Sequence, residues 1–335
     1  MNKILEIIGL TKVFNIKKGF IKKTRHDVHA VSNVSFSLVK GETLGVVGES
    51  GCGKSTTARL IMGLTEPDSG EALFENKQVH FDSRSLRSFR RNVQMVFQDS
   101  SASLNPRLTL EQSIMFAPMQ HGSSRTEASK IANNLLKKVG LDPLRYAQRY
   151  PHEVSGGQRQ RVNIARALAL LPKVVIFDEA VSALDKSVEA QVLNLLIDLK
   201  KEFDLSYIFI SHDLHVVKYI SDKVMVMYLG QIVETGKTED VFKSPVHPYT
   251  KALLASMPSQ DPLNRTLTVP ITGDPPSPID LPKGCRFAPR CKFAEERCHL
   301  QEPKAQKINL EGHSAACFLA YPSMAGSISL ELNDE

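Results

Sequence analysis

Tryptophan is absent from this 335-residue chain, aromatic residues make up 7% of it, and cysteine occurs five times. No apolar run approaches the roughly 18 residues that a membrane span needs, so any membrane role has to come through a partner. The stretch MNKILEIIGL carries no secretory signal pattern, which points to the cytoplasm. Five cysteines in a cytosolic chain argue against structural disulfides. Acid is also missing locally: KKGFIKKTRH (17–26) holds five Lys/Arg and no carboxylate. The net charge of +6 and a pI near 9.0 raise the question of nucleic acid. No aromatic interleaving or recognition motif accompanies the basic stretch. It reads as a solvated loop, and no nucleic-acid partner is expected.

What is present is ordinary for a soluble globular protein, 42% hydrophobic and 23% charged. The length predicts one large domain and a smaller one. Short β-like stretches fill 1–40 around the basic loop. TLGVVG, NVQMVFQDS, KVVIFDEA, SYIFISHDL and KVMVMYLGQIVETG read as strands, and the all-apolar ones suggest a parallel sheet covered on both faces. EPDSGEALFENKQV reads as a turn and a short strand pair. Residues 107–171 are mostly helical, and SVEAQVLNLLIDLKKEF is a helix with Val188, Val192, Leu195, Leu199 and Phe203 down one face. Beyond about 240, Pro and Cys rise and periodicity weakens. The predicted division is therefore 1–240 and 241–335.

Chemistry concentrates in GESGCGKSTT (48–57). Gly48, Gly53, Lys54 and Ser55 satisfy G-x-x-x-x-G-K-[ST], a loop whose glycines let phosphate approach the backbone. Inward N–H groups and the positive end of the following helix would hold the anion. Lys54 would reach the β- and γ-phosphates and the Ser55 hydroxyl would sit on Mg²⁺. The bland alternative, a glycine-rich turn that binds nothing, is disfavoured by the strand before and the helix after.

VVIFDE supplies the second half. Asp178 and Glu179 emerge at the carboxyl end of a strand, where open α/β sheets bind ligands. Asp178 is the expected Mg²⁺ partner, and Glu179 is placed to polarise a water for in-line attack on the γ-phosphate. His212 and Gln98 end two further strands at the same sheet edge. In VSGGQRQRVNIARALAL, Ser155 reads as an N-cap, and Gly156 and Gly157 expose the first N–H groups of a helix. That is a second anion site, which two chains could use by each closing over the other's phosphate loop.

Together these motifs resemble the nucleotide-binding subunits of ABC transporters, over residues 4–320. GESGCGKST is similar to Walker A, VSGGQ to the signature motif, VVIFDE to Walker B, SALD (182–185) to the D-loop. His212 resembles the switch histidine, Gln98 the Q-loop glutamine and Phe14 the aromatic that stacks on adenine. The resemblance implies an α/β P-loop ATPase with a RecA-like parallel sheet core, an antiparallel β subdomain and a helical signature subdomain. It implies that ATP lies against Phe14, Gly48, Ser50, Gly51, Cys52, Gly53, Lys54, Ser55 and Thr56, and that Ser155, Gly156, Gly157, Gln158 and Asp185 complete a site across a dimer. Ser55, Gln98 and Asp178 would surround Mg²⁺, and Glu179, His212 and Gln98 would act in hydrolysis. Val154 stands for the usual leucine, and EAVSALD for EPTSALD; neither change removes a functional group.

MVFQDSSASLNPRLT, SPVHPYTKALL and GCRFAPRC resemble the oligopeptide/dipeptide-importer branch, which also handles nickel chelates and related solutes such as glutathione. That implies a paralogous ATPase partner in a heterodimer, two transmembrane permease subunits, a solute-binding protein, and a peripheral position on the cytoplasmic face of the inner membrane. Residues 99–112 would line the groove that receives a permease helix. A soluble ABC ATPase of ribosomes or DNA is the distant alternative, since two cassettes or a coiled-coil insertion are absent; a small-molecule kinase has no use for the signature segment.

Cys285, Cys291, Cys298 and Cys317 cluster in the extension, in a region too poor in periodic apolar residues to make a core alone. In a reducing compartment a metal staple is favoured over disulfides. Four thiolates suit tetrahedral Zn²⁺ or an iron–sulfur cluster, and four unligated thiols are the alternative. The spacing is wider than that of paired zinc knuckles. The family resemblance, in which some members carry a 4Fe–4S cluster there, favours that cluster. Sequence distance from the ATP motifs predicts a purely structural role for it.

Overall fold

The computed structural model describes residues 2–18, 24–257, 273, 276–279 and 281–320. Residues 19–23 of the basic stretch lie outside them. The strands at the start are longer than expected: β1 (Lys3–Lys18) and β2 (Thr24–Val39) form one antiparallel pair with four register shifts. With β4 (Ser69–Phe74) and β5 (Lys77–Gln78) they make an antiparallel sheet in the order β2-β1-β4-β5.

The second sheet has eight strands in the order β11-β12-β10-β9-β3-β8-β7-β6. Its centre, β3 (Thr43–Val47), β6 (Val93–Val96), β7 (Val174–Asp178), β8 (Ser206–Ile210) and β9 (Lys223–Tyr228), is parallel throughout. Here β3, β7 and β8 are buried at every position. The period of two explains why they read as unbroken apolar runs. Val175, Phe177, Tyr207 and Phe209 point into one core, while Val174, Ile176, Ile208 and Ile210 point into the other. The first core is shared with helices, the second with β1, β2 and α1 (Lys54–Ile61).

Helices follow the sequence signals where caps are strong. In the helical subdomain α3 (Leu110–Gln120), α4 (Arg125–Lys138) and α6 (Gly156–Leu168) each start with a reciprocal capping box, Thr109/Gln112, Ser124/Glu127 and Ser155/Gln158. The short α5 (Pro143–Tyr146) lies between them. Sequence reading passed over α2 (Ser83–Asn92), whose sole buried side chains are Leu86 and Phe89. Leu86 and Phe89, three residues apart, form one apolar edge on an otherwise polar helix, and the Asp82 cap holds the start by accepting from the N–H groups of Arg84 and Ser85. In α7 (Lys186–Phe203) the buried face is Glu189, Val192, Leu193, Leu196 and Leu199. The expected stripe is thus rotated toward Leu196, leaving Val188, Leu195 and Phe203 half-buried. The helix α8 (Leu214–Ile220) completes the alternation before β9.

The segment beyond 240 does not stand apart. After β10 (Gln231–Lys237), α9 (Thr238–Lys243) and α10 (Pro248–Ala255), the chain returns through α11 (Glu296–Leu300), β11 (Gln306–Lys307) and β12 (Ser314–Ala315). Strand β12 pairs antiparallel with β10, so the extension adds to the edge of the main sheet. Its Phe287 and Tyr249 belong to the first core. Glu234 of β10 (1% exposed) accepts from the backbone N–H groups of Val246 and His247 and pairs with His313 Nε2 at 2.7 Å. This buried contact ties the extension to the sheet.

Candidate functional site

The phosphate loop is shaped by close approach. A Cβ on Gly48 (φ 150°) would meet the Met227 carbonyl oxygen at 2.2 Å, and one on Gly53 (φ 106°) would meet the Ala30 carbonyl oxygen at 2.4 Å. Both neighbours are backbone, so neither position has room for a side chain. Lys54 is 4% exposed and donates to the carbonyls of Gly48 at 2.7 Å and Glu49 at 3.0 Å. Its ammonium therefore lies across the loop mouth. Cys52 is buried behind the loop, burial pushes its thiol pKa up, and its carbonyl accepts from Gly230 N–H. Ser50 and Gly51 form the exposed crest of the loop, and Thr56 is half-buried on α1.

At the carboxyl end of β7, Asp178 Oδ1 accepts from the Ser55 hydroxyl at 2.7 Å. Burial pushes the Asp178 pKa up, against the Ser55 hydrogen bond that favours its charged form. The residues fit Mg²⁺: two hard oxygen donors stand side by side at the start of the anion-binding helix. Gln98 is not on this pair. Its amide donates to Glu179 Oε2 at 3.0 Å, and His212 Nδ1 lies 3.3 Å from the same oxygen. Glu179 also holds φ at +48°. A non-glycine residue in that region stores of order 1–3 kcal/mol of strain, a cost that collects at functional sites. The structure thus gathers Ser55, Asp178, Glu179, Gln98 and His212 around one sheet edge.

Phe14, 38% exposed, carries the Lys12 ammonium 5.6 Å from its ring centroid and pairs with Val28 of β2. Two residues further along β2 is Ala30, whose carbonyl packs on Gly53. Phe14 therefore sits on the strand pair that flanks the loop, with its ring open to solvent.

The signature residues form a separate group. Ser155 caps α6 together with Gln158. A Cβ on Gly157 would meet Val188 Cγ1 at 2.4 Å, so α6 starts hard against the start of α7. There Asp185 caps α7 by accepting from Val188 N–H. The half-buried Gly156 lies beside them. Among the described residues no hydrogen bond or ion pair joins this group to the phosphate loop of the same chain.

Cys285, Cys291, Cys298 and Cys317 all line one cavity of about 20 Å³, walled by Phe287, Phe293 and Phe318. Burial pushes the thiols of Cys285, Cys291 and Cys317 up, that of Cys317 to about 11. The side-chain placement does not by itself support the expected cluster. Among the described residues no group of three or more His, Cys, Asp or Glu side chains is placed to hold a metal ion. The cavity has room for about one water, and burial favours the neutral form of the Cys285, Cys291 and Cys317 thiols. The donor chemistry fits a thiolate site, and the four cysteines are free of disulfides.

Sequence reasoning passed over Glu49. An unspecified position of the loop pattern gives no signal, yet this carboxylate receives both guanidinium nitrogens of Arg290, and its N–H donates to the Tyr249 hydroxyl.

A family model described as ABC transporter matches residues 31–182, and one described as oligopeptide/dipeptide transporter, C-terminal region, matches 233–298. The chain is 50% identical to a probable peptide ABC transporter ATP-binding protein, y4tS, of Sinorhizobium fredii, over 97% of this chain and 92% of that protein. It is 48% identical to the dipeptide transport ATP-binding protein DppF of Haemophilus influenzae, over 94% and 96%. Among solved structures, the dimeric post-hydrolysis ATP-binding cassette MJ0796 with ADP and Pi superposes with a TM-score of 0.61 at 28% identity, over 70% of this chain and 98% of that one.

Proposed function

The chain belongs to the ABC transporter family of ATP-binding subunits, and we propose that it powers uptake of di- or oligopeptides by hydrolysing ATP at a site shared with a second, paralogous subunit. The observation that carries the shared site is the separation of its halves. Lys54, Ser55, Asp178 and Glu179 form one group, while Ser155 and Gly157 lie at the start of α6, and among the described residues no hydrogen bond joins them to that loop. A dimer placing each signature group over the other chain's loop uses both, as expected where a relative of known structure is dimeric.

Lys54 and the loop N–H groups would hold the phosphates, and Ser55 and Asp178 would hold Mg²⁺, which would supply neutralisation of phosphate charge. Glu179 accepts the proton of an attacking water, with Gln98 and His212 on its second oxygen fixing its direction. Phe14 offers its open face to the adenine. The peptide assignment rests on likeness to peptide-transport subunits, and the same motor would serve nickel chelates or glutathione under another permease.

No helix among the described residues is long and apolar enough to cross a membrane. Attachment to the cytoplasmic face would come from two permease subunits, served by a solute-binding protein. The groove beside Gln98, lined by Phe97, Asp99, Ala102 and the 59%-exposed Phe116, suits an apolar permease helix. In this reading residues 1–240 are the motor and 241–335 the branch-specific extension. The test is ATPase assay of the purified chain over a dilution series, alone and with its paralogue and permeases. Turnover should appear on assembly; full, concentration-independent turnover by the dilute single chain would refute the shared site.

A finer reading gives the four thiols a 4Fe–4S cluster, supported by their convergence on one cavity. The cysteines would have to close inward as thiolates to hold it. Anaerobically purified protein should then absorb broadly near 400 nm and lose the band on Cys291→Ser. Colourless protein, with or without zinc, rules the cluster out.

A further inference from the structure

The extension reaches into the phosphate loop itself. Arg290, immediately before Cys291, is 8% exposed at its side chain and grips Glu49 with two bonds, Nη1 to Oε2 at 2.9 Å and Nη2 to Oε1 at 3.1 Å. Its Nη1 also lies 3.3 Å from the Tyr228 hydroxyl. From α10, the Tyr249 hydroxyl accepts from the backbone N–H of Glu49 at 2.8 Å. Tyr228, Tyr249 and Phe287 pack against one another tilted or edge to face, with centroids 4.6–5.5 Å apart, so both grips rest on one aromatic cluster. Distance along the sequence is therefore no measure of distance in space here: position 290 touches position 49.

We propose that Arg290 and Tyr249 are positioning residues of the nucleotide site, acting through Glu49. This rests on the reading of that loop as an ATP site. Glu49 is next to Gly48, whose carbonyl, like that of Glu49, accepts from Lys54. An uncompensated carboxylate there would repel a triphosphate in the loop and compete with it for Lys54. The fork of Arg290 removes both effects: it neutralises the charge and turns the carboxylate toward the extension. Tyr249 fixes the same residue's backbone, and with it the direction of the loop N–H groups that follow. The segment carrying the cysteines thereby becomes a structural part of the ATP site, and a change in its packing is transmitted to the loop through one ion pair and one hydroxyl.

The test is titration of the full-length chain with a fluorescent ATP analogue in the presence of Mg²⁺, with thermal unfolding measured alongside. Arg290→Gln should weaken the analogue about tenfold, because it strands a partly buried carboxylate beside the phosphates. Adding Glu49→Gln to that variant should recover most of the affinity, since the repelling charge is then gone. A residue that merely supported the fold would lower the melting temperature without such recovery. Tyr249→Phe removes a single hydroxyl and should weaken binding about threefold, in line with one hydrogen bond. Should Arg290→Gln fail to fold, Arg290→Lys, which keeps the charge and loses the fork, and Tyr249→Phe carry the same reading. Unchanged affinity in the folded variants, or a loss that Glu49→Gln does not restore, overturns the proposal. An analogue that does not bind the wild-type chain would instead refute the ATP site.

Discussion

In the proposed function Glu179 bears the chemistry most directly. Replacing it with Gln keeps the hydrogen bond to water and removes the ability to take its proton. Glu179→Gln should retain ATP binding and lose at least about a hundredfold in steady-state turnover, measured as phosphate release by the assembled transporter. Gly157 gives a second test at this scale. Its missing Cβ would lie 2.4 Å from Val188 Cγ1, so Gly157→Ala should push α6 from α7 and cost about 1–3 kcal/mol by overpacking, read by denaturant unfolding. The glycines, Lys54, Ser55, Asp178 and Glu179 were legible because phosphate and Mg²⁺ accept few residue types at fixed spacing. Glu49, Arg290 and Tyr249 were not: their contacts join positions about 200 or more apart along the chain, and no local pattern encodes such a pair.

Among the elements, the join between β10 and the extension is sensitive to pH. His247 caps α10, and its Nδ1 accepts from Tyr249 N–H. Burial lowers its pKa to about 4, in opposition to the nearby Glu234 carboxylate. In the unfolded chain it titrates near its ordinary value, so between those points the unfolded state binds more protons. Its contribution is whole above about pH 6.5 and falls by about 3 kcal/mol as the pH drops toward 4. Burial alone would raise the Glu234 pKa; hydrogen bonds from His313 and from the N–H groups of Val246 and His247 outweigh it and lower the value. Its share is therefore present above the ordinary carboxylate pKa and lost below it. Denaturant unfolding should show stability falling from pH 6.5 to 4, and His247→Asn, which keeps a capping side chain, should flatten that slope. An unchanged slope would contradict the assignment. The strands of the parallel sheet were legible as apolar runs, because both faces are covered. The helix α2 was missed because its two buried apolar anchors, Leu86 and Phe89, sit among polar and charged residues, so its one-sided pattern carries no apolar run to mark it. The α7 face was misplaced toward Leu195 because both possible stripes are apolar, and packing on the sheet decides between them.

For the molecule as a whole, the ATPase core and the extension share one core and one sheet, although composition changes near residue 240. Composition reported the loss of periodicity correctly. It could not report that β12 returns to pair with β10 or that Phe287 enters the first core, since strand return over about 80 residues leaves no local mark. The thiol cavity lies behind the aromatic cluster that supports Arg290 and Tyr249, so the extension serves the nucleotide loop as well as its own fold. On the proposed function, the separated halves of the catalytic machinery would set the functional unit at two chains beneath a permease. The most direct measurement is uptake of a radiolabelled dipeptide by cells whose own copy of this chain carries Glu179→Gln, with protein level and complex assembly verified. The account predicts that uptake is lost while the transporter remains assembled; uptake at the wild-type rate would contradict it.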